Sequence, residues 1–172
     1  MDSKFSQKIK DVLSYSREEA IRLGNSSISP EHLFLGILRD GESVAIDVLH
    51  SLGLDLVETK KVIEKKLINT NQLIHPTDSE DLTLFKSAER ALKLVFLEAR
   101  SLKTDNVNTA HLLLAILKDE NNFVTQLLAE KKVDYSLIRS ELEVDEIRFK
   151  ADFSDEDDER SQFGTPRGGP QQ

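Results

Sequence analysis

An internal duplication limits the folds open to this chain more than any other feature. The stretch SPEHLFLGILRDG, from Ser29 to Gly41, returns as NTAHLLLAILKDE from Asn108 onward. When the chain is shifted by 79 positions against itself without a gap, identical residues coincide at Ala20 and Ala99, Leu23 and Leu102, His32 and His111, Leu33 and Leu112, Leu35 and Leu114, Ile37 and Ile116, Leu38 and Leu117, and Asp40 and Asp119. The chain should therefore fold as two copies of one unit packed together.

Each repeat has the pattern of a helical unit. Ser6 is a predicted N-cap, after which apolar residues recur with a 3.6-residue period until Gly24 ends the run. Ser29 should cap the second helix, with Pro30 at its first position, and Asn108 takes the capping place in the second repeat. The remaining predicted helices are Ser43–Leu52, Leu56–Ile68, Thr83–Lys103, Thr109–Asp119, Phe123–Glu130 and Tyr135–Val144.

The predicted fold is all-α, with eight helices in two tandem four-helix repeats, about residues 3–69 and 82–145, packed with pseudo-two-fold symmetry. Gly36 matches Ala115, so both should lie where a neighbouring helix comes close. A groove where the halves meet and two equivalent surface patches are natural docking places. The alternative is a looser all-α bundle with the repeats as separate units, in which Gly36→Leu should be harmless.

Composition divides the chain into a folded body, residues 1–147, and an acidic, then Gly/Pro-rich linker, residues 148–172. The segment FSDEDDERSQFGTPRGGPQQ cannot pack a core, and we expect it to join the body to a longer polypeptide. The chain lacks cysteine and any long apolar run, so we expect a cytoplasmic protein without a membrane partner. A net charge of -8 without a basic stripe disfavours nucleic-acid binding.

These motifs resemble the Clp N-terminal (Clp repeat) domain, in particular the version at the head of ClpC-type AAA+ unfoldases. The resemblance lies in Phe5 and Ser6, in EEAIRLG from Glu18, in EHLFLGILRDGE from Glu31, and in the second, divergent copy at the family's spacing. It covers about residues 3 to 145. The chain has no G-x-x-x-x-G-K-[ST] phosphate loop, so we do not expect this fragment to hydrolyse ATP.

The resemblance implies a non-enzymatic recognition domain of an ATP-dependent Clp unfoldase, which delivers proteins for unfolding and degradation. The implied partners are adaptor proteins, protein substrates and, through a parent hexamer, a ClpP-type protease. We expect no cofactor in this fragment, with ATP and Mg only in the missing ATPase modules, and we expect the fragment to be monomeric. The alternative is a free-standing adaptor or scaffold of the same fold without an attached ATPase.

Some ClpC domains resemble phosphoarginine receptors, and this resemblance implies a ligand or degron site at Glu31, with Ser6 and Ser29 nearby. Helix N-terminal amides would hold the phosphate, while the carboxylate would pair with the guanidinium. The second copy has Ala110 in place of the glutamate, so a second site is not expected. The alternative is that Glu31 only stabilises the first turn of its helix.

No residue of the chain is predicted to be catalytic. His32 and His111 each lie three residues after a cap without a second ligand at helical spacing, so we expect hydrogen bonds to nearby backbone rather than metal binding. The pair Glu18 and Glu19 is expected on a solvated helix face.

Overall fold

The structure, a computed structural model, describes residues 5–69, 82–104 and 106–144. This part of the chain holds eight helices, which are α1 Gln7–Arg22, α2 Pro30–Asp40, α3 Val44–Ser51, α4 Leu56–Asn69, α5 Lys86–Ser101, α6 Thr109–Lys118, α7 Phe123–Glu130 and α8 over 135–144. The predicted all-α fold of two four-helix repeats is confirmed. The chain divides into a first unit, Met1–Ile138, and a second, Arg139–Gln172. The predicted linker, 148–172, lies outside the described residues, and its boundary stays a prediction.

The helix ends follow the local chemistry of the sequence. Ser6 caps α1, since its hydroxyl accepts a hydrogen bond from the Ile9 N–H at 3.3 Å. Asn122 caps α7 by accepting from the Thr125 N–H at 2.8 Å. Gly41 ends α2 in the left-handed conformation, with φ at 76°, which a residue without a Cβ adopts at little cost.

A short parallel strand pair joins the two repeats. Strand β1, Ser27–Ile28, precedes α2, and strand β2, Thr83–Leu84, precedes α5. The Phe85 N–H continues the ladder by donating to the Ile28 carbonyl at 3.0 Å. Helix α5 therefore begins at Lys86 rather than at Thr83, where the sequence placed its start, because this stretch is extended to pair with the first repeat.

The most buried helices are α2 and α6, the predicted centres of the repeats. Helix α3 of the first repeat packs on α6 of the second, and α7 of the second packs reciprocally on α2 of the first, as pseudo-two-fold symmetry requires. The Ala45 N–H also donates to the Thr109 hydroxyl at 3.2 Å, joining the first turns of α3 and α6. The repeats thus share one core rather than forming separate units.

Gly36 lies where two helices approach closely, as the sequence predicts. A Cβ at this position would stand 2.3 Å from Ser16 Oγ and 2.5 Å from the Val12 carbonyl oxygen. Both atoms belong to α1, in the same repeat as Gly36. A leucine at this position would therefore damage even a separated repeat, so the expectation that Gly36→Leu distinguishes the two packing alternatives was wrong.

Candidate functional site

A groove between α1 and α5, here called the inter-repeat groove, is a wide concave surface in the described part of the chain. Its volume is about 920 Å³, within the usual range of ligand sites. Both helices contribute apolar side chains, and the others come from Phe5, which precedes α1, and from the strand pair with the residue before β2. The apolar lining consists of Phe5, Leu13, Ile28, Leu82, Leu84 and Leu92.

The two walls of the inter-repeat groove are built from equivalent positions of the two repeats. With the 79-residue shift, its lining residues pair as Phe5 with Leu84, Lys10 with Glu89, Leu13 with Leu92, and Ser14 with Lys93. A site lined by matching residues from both copies lies on the pseudo-two-fold axis. The groove predicted at the meeting of the halves is therefore present, although the sequence did not identify its residues.

Aromatic stacking and the strand pair hold the shape of the groove. Phe5, which precedes α1, stacks on Phe96 of α5 with ring centroids 4.9 Å apart, and so ties the two walls together. The Ser27 and Thr83 hydroxyls meet at 2.9 Å beside the strand pair. Because these contacts join the repeats, the groove is a preformed feature of the fold.

The charged residues of the groove are mostly basic. Lys10 and Arg17 lie on the α1 wall, Lys93 lies on the α5 wall, and Glu89 is the acidic member. All four side chains are exposed. The groove therefore combines an apolar lining with a net positive rim.

Glu31, the predicted degron-binding residue, lies mostly buried at the first turn of α2. Burial raises the pKa of its carboxyl group, although the backbone N–H groups of Glu31 and Phe123 and the Ser29 hydroxyl partly offset this effect. The nearby Asp119 carboxylate raises the pKa further, and Glu31 Oε2 is buried without a hydrogen-bond partner. These neighbours include two residues of the second repeat, so Glu31 lies at the contact between the repeats.

The three predicted site residues are only partly brought together. The Ser29 hydroxyl lies close enough to Glu31 to affect its pKa. Ser6 uses its hydroxyl to cap α1, and in the described part of the chain no hydrogen bond joins it to either of the other two. None of the three lines the inter-repeat groove. The phosphoarginine site therefore stays a prediction.

Comparison with known proteins places the chain in a family. The model of the Clp repeat (R) N-terminal domain matches residues 4–131 and, again, residues 83–159. The chain belongs to the Clp repeat N-terminal domain family. The second match begins at the second repeat.

Several relatives share this domain. The chaperone protein ClpB of Oceanobacillus iheyensis is 33% identical over 142 residues, which cover 83% of this chain and 17% of that protein. The negative regulator of genetic competence ClpC/MecB of Bacillus subtilis is 30% identical over the same shares. A solved complex of the ClpV N-domain with VipB peptide has a TM-score of 0.59 at 16% identity, covering 80% of this chain and 88% of that one. The chain thus spans about one sixth of the length of the curated ClpB and ClpC/MecB relatives.

The two symmetric histidines of this Clp N-terminal domain are helix-start residues, as predicted. His32 Nδ1 accepts from the Ser29 N–H at 2.9 Å, and His111 Nδ1 accepts from the Asn108 N–H at 3.0 Å. His32 Nε2 lies 2.8 Å from Asn25 Oδ1, so the neutral ring donates there. Burial lowers the pKa of both histidines to about 4.

Glu19 of the domain is buried, so its expected place on a solvated face was wrong. Burial by itself raises the pKa of Glu19, but its hydrogen bonds with Arg22, at 2.9 and 3.0 Å, and the nearby Arg39 lower the pKa overall. Glu98, the same position of the second repeat, is also buried and accepts instead from the Tyr135 hydroxyl. Both carboxylates therefore serve the packing of their repeats.

The described residues of the Clp N-terminal domain contain neither a candidate metal cluster nor a candidate membrane-spanning helix. Over residues 5–69, 82–104 and 106–144, no group of three or more metal-ligating side chains is arranged around a common point. Within the same ranges, no helix has the length and apolar character needed to cross a bilayer.

Proposed function

We propose that this chain is the adaptor- and substrate-recognition domain of an ATP-dependent Clp unfoldase, and that protein segments dock in the inter-repeat groove. The observation that carries the proposal is a preformed, exposed apolar groove on the repeat axis of a Clp N-terminal domain. A groove of this kind buries the apolar side chains of a peptide and leaves its polar side in water. The solved complex of the related ClpV N-domain with VipB peptide supports peptide binding by this fold.

The proposal extends to the protein of which this domain forms part. The curated relatives are chaperones and Clp proteins about five times as long as this chain. We infer a parent AAA+ ATPase that works in the cytoplasm as a hexamer and passes unfolded chains to a ClpP-type protease. The isolated domain is monomeric in this proposal, and ATP with Mg would bind only to the ATPase modules of the parent.

Anisotropy of a fluorescent, permanently unfolded protein, titrated with the domain, tests the groove. Leu13→Ala with Leu92→Ala removes one apolar side chain from each wall, and we expect affinity to fall at least tenfold, since about 1 kcal/mol is lost per truncated leucine. Leu97→Ala is the matched control, because Leu97 also lies on α5, is 55% exposed and does not line the groove. Equal affinity of the double variant and the wild-type domain would refute docking in the groove.

A free-standing adaptor of the same fold would show the same dependence on the groove leucines. The two alternatives differ in the size of the native polypeptide. Detection of the endogenous protein with an antibody to this domain should show a chain several times larger than 19.5 kDa if the domain belongs to an unfoldase. A band near 19.5 kDa would support the free-standing adaptor.

A further inference from the structure

The rim of the inter-repeat groove is positive on a protein that is otherwise acidic. The chain carries a net charge of -8, yet three of the four charged residues that line the groove are basic. No ion pair joins Lys10, Arg17 or Lys93 to another residue of the described part. The three cations are therefore available to a docked partner, and their long stems can lie along its apolar side chains.

The basic residues are ordered relative to the leucines of the walls. On α1, Lys10, Leu13 and Arg17 follow the i, i+3, i+7 spacing of one helix face, so a cation stands on each side of the leucine. On α5, Lys93 lies next to Leu92. An apolar side chain that packs on Leu13 is thus flanked by positive charge along the groove.

The same positions show that the two walls are not equivalent in charge. Lys10 corresponds to Glu89, and Arg17 corresponds to Phe96, whose ring stacks on Phe5. The apolar lining keeps the symmetry of the repeats, while the charges break it and place two cations on the α1 wall. A symmetric apolar groove would accept a segment in either direction, whereas these charges favour one placement of an acidic segment.

We propose that the inter-repeat groove selects apolar protein segments flanked by Asp or Glu. The inference rests on the proposed function, because it requires that segments dock in this groove. It adds the chemistry of the partner, which the apolar lining alone does not specify. Carboxylates next to the docked apolar residues lie within reach of Lys10 and Arg17, and the charges attract the segment before contact is made.

Three synthetic peptides with one apolar core and Glu, Gln or Lys flanks test the selection by anisotropy at low salt. An exposed opposite-charge contact is worth about twofold in affinity, so replacing attraction with repulsion is worth about fourfold per contact. For two contacts, at Lys10 and Arg17, we therefore expect the Glu peptide to bind about 16-fold more tightly than the Lys peptide. The difference should nearly vanish at 1 M salt, where screening acts over about 3 Å.

Lys10→Glu with Arg17→Glu should reverse the order of the three peptides. Lys61→Glu with Lys65→Glu, two exposed residues of α4 outside the groove, changes the net charge equally and should leave the order unchanged. Equal binding of the three peptides, tighter binding of the Lys peptide, or binding of none of them would overturn the selection. In each of these cases the proposed function stands if binding of the unfolded protein still depends on Leu13 and Leu92. The proposed function fails if that binding does not depend on the two leucines.

Discussion

Gly36→Ala tests the contact that sets the distance between α1 and α2. The new Cβ would stand 2.3 Å from Ser16 Oγ and 2.5 Å from the Val12 carbonyl oxygen, closer than packed carbon atoms are found. Neither neighbour can withdraw easily, since Val12 offers a backbone atom and Ser16 is fully buried, with its hydroxyl donating to that same carbonyl at 2.8 Å. The two helices must therefore move apart or the side chains must leave their rotamers.

The magnitude follows from two opposing effects. Alanine favours a helix over glycine by about 1 kcal/mol at an unobstructed position. Overpacking a well-filled core costs about 1 to 3 kcal/mol and exceeds this range when backbone atoms are in the way. We expect a net loss of about 2 kcal/mol in the free energy of unfolding, or about 4 to 8 °C in Tm for a domain of this size.

Urea unfolding followed by circular dichroism measures the change, and two variants serve as controls. Ser16→Ala added to Gly36→Ala removes the 2.3 Å contact but keeps the 2.5 Å contact, so it should recover only part of the loss. Ala115→Gly, at the matching position of α6, should also destabilise, by about 1 kcal/mol of helix propensity. A Gly36→Ala domain that is as stable as the wild type, or more stable, would refute the close approach.

Three further predictions concern buried polar groups. Burial holds the pKa of His32 and His111 near 4, so the unfolded chain takes up protons below pH 6.5 before the folded protein does. Stability should therefore fall between pH 6.5 and 4, by about 2 kcal/mol per histidine at pH 5 in urea titrations. Equal stability at pH 7 and pH 5 would contradict this. Glu31→Gln should raise Tm at pH 7, because the wild type must keep its buried Glu31 carboxyl group ionised although burial raises the pKa. The gain in Tm should shrink as the pH falls, and no gain at pH 7 would contradict the prediction. Asn122→Ala should lower the free energy of unfolding by about 2 to 3 kcal/mol, since Asn122 caps α7 and also donates to the buried Ile116 carbonyl. Ser43→Ala, at the matching cap of α3, should lower it by about 1 kcal/mol, and similar losses in the two variants would contradict the prediction.

The sequence predicted those features that depend on neighbouring residues. The caps at Ser6 and Asn108 need only a side chain and the backbone of the next turn, and both formed where they were expected. Because the sequence is duplicated, the helices assigned to the first repeat also predicted the helices of the second repeat. The small residue at Gly36 also indicated a close contact, although the sequence could not show that its partner lies in the same repeat.

Features that depend on distant residues were missed. Strands β1 and β2 are two residues long and 56 positions apart, too short for any alternation of apolar and polar residues to be visible. Glu19 looked solvated because its own helix is charged, while Arg39, which helps to lower the pKa of its buried carboxyl group, belongs to α2. The groove leucines could have been found by one signal: Leu13 and Leu92 are apolar at the same position of both repeats, next to the buried Val12 and Ala91.

The turns after α1 and α3 have counterparts with the same left-handed backbone conformation in the second repeat. Gly24 and Gly53 adopt φ values of 75° and 79°, and the residues 79 positions later, Lys103 and Lys132, keep the left-handed conformation at 59° and 63°. Each lysine pays roughly 1 kcal/mol for a shape that glycine adopts freely. The two repeats thus share the handedness of these turns although the residues differ, and positive φ values at a fixed spacing reveal a duplication at positions where the sequence does not.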